Sequence, residues 1–218
     1  MIVRTKSGNY QANNTNTLLE FLGVKKEAEG IQKVKGDVEL IASVPFAMSN
    51  EQGEMSKGIP WTLSTFDLDR MGERIDPLGW DFKQYVKNPI VEWSHRYDIP
   101  AIGKIDNLSM DENGLHGLII FNDKEYDLFA WSIEQRIKAG VLRAGSVGFR
   151  ALEIEIPDRK TAEDGTYLIF RKQELLEFSI CNVPANPFAL MQKNEINKTE
   201  TMQELSHPNF WGGLIQSF

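Results

Sequence analysis

The feature that most constrains this chain is a recurrence of short, β-branched apolar runs punctuated by turn residues, interrupted by one segment of helical period. Val38, Leu40, Ile41, Val44 and Phe46 read as a strand, and so does the stretch 59–66. Ile90, Val91 and Trp93 form a third, opened by Pro89 and closed at His95. Residues 102–108 and 115–121 pair across Asp111-Glu112-Asn113-Gly114, where Asn-Gly is a strong hairpin signal. The period then changes: Tyr126, Phe129, Ala130, Ile133 and Ile137 fall on one helical face, predicted to be core. Asn122 with Glu125 resembles a capping box, and Gly140 suits the helix stop. Residues 146–156, 167–170 and 175–183 read as further strands, and Pro184-Ala185-Asn186-Pro187 closes the pattern. The expected fold is α+β: one β-rich domain over 36–192, a small barrel core with few helices.

The ends read differently. Residues 1–35 are polar and unpatterned, expected as a flexible segment with at most a short helix at Thr17–Phe21. The tail 193–218 is polar except for Phe210, Trp211 and Phe218, and is likewise expected to be flexible. Between them the chain is ordinary for a globular protein, with 41% hydrophobic and 25% charged residues in 218. A net charge of -7 argues against nucleic acid as a partner. No apolar run approaches the roughly 20 residues of a membrane span, and the N-terminus lacks a signal-peptide core, so no membrane partner and a cytoplasmic setting are expected. A single cysteine, Cys181, suits a reducing compartment.

Few residues are equipped for chemistry. There are three histidines, His95, His116 and His207, and no Cys-x-x-Cys or His-x-x-x-His pair, so no metal and no cofactor are expected. The acidic loop of Asp67, Asp69, Glu73 and Asp76 lacks a calcium-loop pattern and reads as solvated turn chemistry. His95 ends a strand before a loop, where an imidazole can serve as a general base. Ser146 lies between Gly145 and Gly148, where freed backbone could turn amide groups toward a reacting carbonyl. The glycine spacing is not that of the hydrolase nucleophile elbow. Glu177 sits in an apolar strand and needs either solvent or a partner such as an imidazolium. Asp98 and Ser179 are alternative third members. Cys181 is a rival nucleophile, although its apolar strand fits a small core residue better.

The order of these pieces carries more than any one of them. The stretches DLDRMGERIDPLGW, NPIVEWSHRYDIPAIGK, DENGLHGLIIF, IKAGVLRAGSVGF and ELLEFSICNVPANPFAL run from about Pro60 to Ala189. With the linked patterns G-S-x-G-F and E-x-S-x-x-x-x-P-A-N, the chain resembles the prohead maturation proteases of tailed phages, related in fold to the herpesvirus assemblin proteases. The resemblance implies a Ser–His endopeptidase with Ser146 as nucleophile, His95 as base and Glu177 as third member. It also implies major capsid protein and scaffold segments as substrates, self-cleavage, a possible homo-oligomer, and action inside the procapsid in the host cytoplasm. A non-catalytic β-barrel module that binds capsid or scaffold proteins, and a Cys181-dependent hydrolase, are the competing readings.

Overall fold

A computed structural model of the chain describes residues 2–5, 8–12, 14–25, 30–34, 38–45, 58–69, 72–158 and 165–182. His207, the Pro184–Pro187 stop and the aromatic tail lie outside them. The described residues form twelve strands and two α-helices. In chain order these are β1 (Ile2–Thr5), β2 (Gly8–Gln11), α1 (Thr15–Phe21), β3 (Gly30–Lys33), β4 (Glu39–Pro45), β5 (Ile59–Ser64), β6 (Glu73–Ile75), β7 (Trp80–Asp81), β8 (Ile90–Trp93), β9 (Gly103–Asp111), β10 (Gly114–Phe121), α2 (Leu128–Lys138), β11 (Ala144–Ile156) and β12 (Leu168–Cys181). Short 3₁₀ turns at Pro77–Gly79 and Tyr85–Lys87 link β6, β7 and β8.

All twelve strands belong to one sheet, ordered β2-β1-β4-β11-β12-β8-β9-β10-β5, with β3 added to β11 and β6 and β7 added to β12. The sheet curls, because β5 at one end of this path comes back against β4 and β11. The β-rich α+β expectation therefore holds. The concavity is filled by Trp61, Phe149, Phe170, Phe178, Leu40 and Ile119, all essentially without solvent contact. Edge-on pairs knit them: Trp61 with Phe178, Trp80 with Phe149, and Phe149 with Phe170 at 5.0 Å between centroids.

Several sequence readings change. The stretches 167–170 and 175–183 are not two strands but one, β12, running unbroken through Arg171, Lys172, Gln173 and Glu174. This polar run is held as strand by pairs across to β11: Arg171 with Glu155 at 2.7 Å, Lys172 with Glu153 at 3.0 Å, and Glu174 with Arg150 at 2.8 Å. The cap of α2 is Asp127, whose Oδ1 accepts from the Ala130 amide at 2.9 Å. Asn122 instead donates to the Ala101 carbonyl and to Asp127 Oδ2. Only Ala130, Ile133 and Ile137 bury the predicted helix face. Tyr126 precedes the helix and is exposed, and Phe129 is turned outward against Trp93. Gly140 ends the segment as expected, with φ +70. In the N-terminal stretch the structure has three strands besides α1, with Val3, Leu18 and Leu22 fully buried. Their few apolar residues are spaced among Asn and Thr, which conceals the pattern.

Candidate active site

His95 is delivered by a reversal immediately after β8. The Trp93 carbonyl accepts from the Arg96 amide at 3.1 Å, and the two central residues, Ser94 and His95, have φ of 52° and 58°. Non-glycine residues in this left-handed region cost on the order of 1–3 kcal/mol each, so the turn persists only if its surroundings hold it. They do so through β12. The Ser94 amide donates to the Ile180 carbonyl at 2.8 Å, and the His95 amide donates to Ser179 Oγ at 3.0 Å. The imidazole is thereby set beside the central strands, with its side chain 12% exposed.

The central strands present three matched rungs on one face. In the antiparallel register of β11 with β12, Ala144 faces Cys181, Ser146 faces Ser179, and Gly148 faces Glu177. Residues opposite one another, and residues two apart, project from the same side of a sheet. Ser146, Ser179 and Glu177 therefore share a face, and all three are buried. Glu177 uses both oxygens: Oε1 is hydrogen-bonded to His95 Nδ1, and Oε2 accepts from the Ser179 hydroxyl at 2.8 Å. A buried carboxylate with two such partners has the compensation its burial demands.

The glycines around Ser146 serve space rather than turning. Both lie within the hydrogen-bonded strand β11, and neither has positive φ. A Cβ on Gly148 would collide with Glu177, lying 2.7 Å from its Cγ, and would sit 2.8 Å from Glu39 Oε1. The missing side chain is what lets the carboxylate lie across β11. A Cβ on Gly145 would instead run into the Phe178 ring on the opposite face. The sequence reading assigned these glycines to backbone freedom. Ser146 is the third residue of β11, and β11 pairs with β4 on one side and β12 on the other.

The remaining candidates separate cleanly. Asp98 forks onto Arg96 with two bonds of 2.6 Å in an exposed loop. That hydrogen bond holds its carboxyl down at about 2, and it is spent on Arg96 rather than on His95. Cys181 is buried one rung from Ser179. His116 bonds Thr62 Oγ1 and Asp111 on the β9–β10 hairpin. Of the acidic loop, Glu73 is not solvated: it is 2% exposed, and burial, then Asp69, push its carboxyl up to about 8. No group of three or more potential metal ligands gathers among the described residues.

Two features had no signal in the sequence. Tyr97, two residues after His95, donates its hydroxyl to Glu39 Oε1 at 2.6 Å, bracing the histidine loop against β4. A pocket of about 420 Å³ opens beside Glu177, lined also by Tyr85, Glu92, Tyr97, Glu174 and Leu175. Tyr85 donates to the Ile90 carbonyl at 2.6 Å. Burial, then the charges of Glu177 and Glu92, raise its phenol far above the ordinary range, so it stays protonated.

Ser146, Ser179 and Glu177 on one face of β11 and β12, with His95 held against Glu177, form the candidate site. The family model described as caudovirus prohead serine protease matches residues 61–204, and the chain belongs to that family. It is 35% identical over 127 residues to the protein named "Prohead protease" of Escherichia phage T5, a match covering 56% of this chain and 56% of that protein. The match thus spans little more than half the length of that relative. No solved structure matches the chain. Among the described residues no helix is long and apolar enough to cross a membrane.

Proposed function

We propose that the chain is a serine endopeptidase that cleaves capsid and scaffold segments, and itself, during procapsid maturation. The observation that carries this reading is Glu177 bonded to His95 Nδ1 on the strand face that also presents Ser146. With a carboxylate on Nδ1, the proton resides there and Nε2 is left as the base. Nε2 takes the Ser146 proton as Oγ attacks the scissile carbonyl. The imidazolium, stabilised by Glu177, then protonates the departing amine and leaves an acyl-enzyme. Water, activated by the same imidazole, releases the acid and restores Ser146.

Two physical points shape the reaction. The amides of residues 145–148 belong to a strand paired on both sides, so a developing oxyanion would draw its donors from elsewhere. Ser146 has no solvent-exposed surface, so the site must open before a peptide can reach it. Confinement with substrate inside a shell supplies high effective concentration for such an enzyme. Self-cleavage and shell substrates are part of the proposal, and membership of the prohead protease family supports them.

The test is intact mass after co-expression of the chain with its capsid protein, as wild type and as Ser146→Ala. Trimming by the wild type alone is the expected result. Identical trimming by both would remove Ser146 as nucleophile and leave Cys181 or a host protease. No trimming by either within assembled shells would favour a non-catalytic capsid-binding module.

A further inference from the structure

We propose that Ser179 is a positioning residue for the proposed base, a single hydroxyl that sets both the backbone turn and the carboxylate on which His95 depends. The inference rests on the protease reading above for its catalytic consequence, but its geometry stands independently. Ser179 is fully buried, and its Oγ has two partners with opposite demands. It accepts from the His95 amide at 3.0 Å and donates to Glu177 Oε2 at 2.8 Å. A hydroxyl can do both at once, whereas an amide–carboxylate pair without it would leave one buried donor and one buried acceptor oxygen unmet.

Each bond acts on a different degree of freedom. The first ties down a residue at φ 58°, a conformation that relaxes unless held. The second fixes the rotation of the Glu177 carboxyl group, so that its other oxygen faces Nδ1. Ser179 also faces Ser146 across the strand pair, so the base is referenced to the strand that carries the nucleophile. Its proton goes to Glu177 and its lone pair to a backbone amide, which leaves it no route to activation by the imidazole. Ser179 is therefore not a second nucleophile.

The test uses Ser179→Ala and Ser179→Thr in the full chain. In the active background, Ser179→Ala should lower kcat roughly 10–100-fold with little change in KM, as expected for a reactive group misplaced by a fraction of an ångström. Ser179→Thr, which keeps Oγ, should recover most of the rate. In a Ser146→Ala background, which needs no activity, Ser179→Ala should broaden or shift the His95 Nδ1–H proton resonance, whereas Ser179→Thr should retain it. A folded Ser179→Ala with unchanged rate and unchanged resonance would overturn the proposal. If neither variant folds, hydrogen exchange on the unmutated chain decides: a slowly exchanging His95 amide is required, and fast exchange rules the role out. Failure of the protease reading looks different, because then His95→Ala and Ser146→Ala would match the wild type, whether all cleave or none does, while the resonance still reported on Ser179.

Discussion

His95 and His116 each lie against a carboxylate, and the two pairs have little else in common. The Asp111–His116 pair is 3.1 Å long, and the Asp111 side chain is 56% exposed. Asp111 is first a turn residue, accepting from the Asn113 and Gly114 amides at 2.7 and 3.1 Å, and these bonds with His116 hold its carboxyl below the ordinary range. Glu177, in contrast, is buried, and its carboxylate has the His95 ring and the Ser179 hydroxyl as partners. One histidine decorates a hairpin, while the other is fixed by backbone and side chain to β12, the strand paired with the one that carries Ser146. A histidine–carboxylate pair is therefore weak evidence of chemistry; burial and strand register give it meaning.

The comparison breaks most directly by removing each imidazole. His95→Ala should reduce cleavage by at least roughly 10⁴-fold. His116→Ala should leave the rate unchanged and alter stability by only about 0.5 kcal/mol. Parallel rate and melting measurements decide, and equal losses from the two would erase the distinction. Next in size is Gly148→Ala. One methyl group would push Glu177 away from β11, costing about 1–3 kcal/mol in overpacking and roughly 10²-fold in rate. A variant with wild-type stability and rate would show that the glycine is not needed for space.

A third carboxylate sharpens the contrast. Glu73 is as buried as Glu177, but among the described residues neither of its side-chain oxygens has a hydrogen-bond partner. Its carboxyl, raised from the ordinary 4.5 to about 8, favours the protonated form in the folded chain. The folded state thus holds a proton that the unfolded state loses. Stability from this group is complete below about pH 4.5 and drains away as pH rises toward about 8. At about 1.4 kcal/mol for each pH unit between the two values, the loss reaches roughly 5 kcal/mol. Glu73→Gln should flatten that slope in a series of melting curves, matching wild type at pH 5 and exceeding it at pH 9. An unchanged slope would assign the pH dependence elsewhere. The smallest effect belongs to Ser94→Gly, which relieves one left-handed residue and should stabilise by up to about 1 kcal/mol with activity retained. A clear loss of stability would mean that the side chain, not the turn, holds the loop.

The strands that build the centre were legible because their alternation survives in the residues themselves. Ile90–Trp93, the Asn113–Gly114 hairpin and the end of β11 at Ile156 all fall where the pattern puts them. His95, Ser146 and Glu177 stood out in local context only as candidates, each a polar residue beside an apolar strand or a glycine pair, and the family resemblance supplied their expected roles. What escaped was settled by neighbours distant in sequence. Arg171 and Lys172 look like a loop until Glu155 and Glu153 lie opposite them. Glu73 looks solvated until β12 pairs alongside β6. Gly148 looks like a hinge until the Glu177 side chain is seen crossing it. Ser179 was visible only as an alternative to Glu177, although a spacing of two along a strand already places both on one face and makes them partners rather than competitors.

That spacing has a further consequence for quality control. Glu177 and Ser179 meet Ser146 and His95 only because β12 is in one particular alignment with β11 and β8. A slip of a single residue would send both to the other side of the sheet, where Phe178 packs against Trp61, and would bring Phe178 and Ile180 round to the serine. On the proposed mechanism, a mispaired chain would be chemically silent. For the proposed enzyme, with its proposed targets around it at high concentration, the sheet would double as a proofreader, withholding activity from any copy that has not folded correctly.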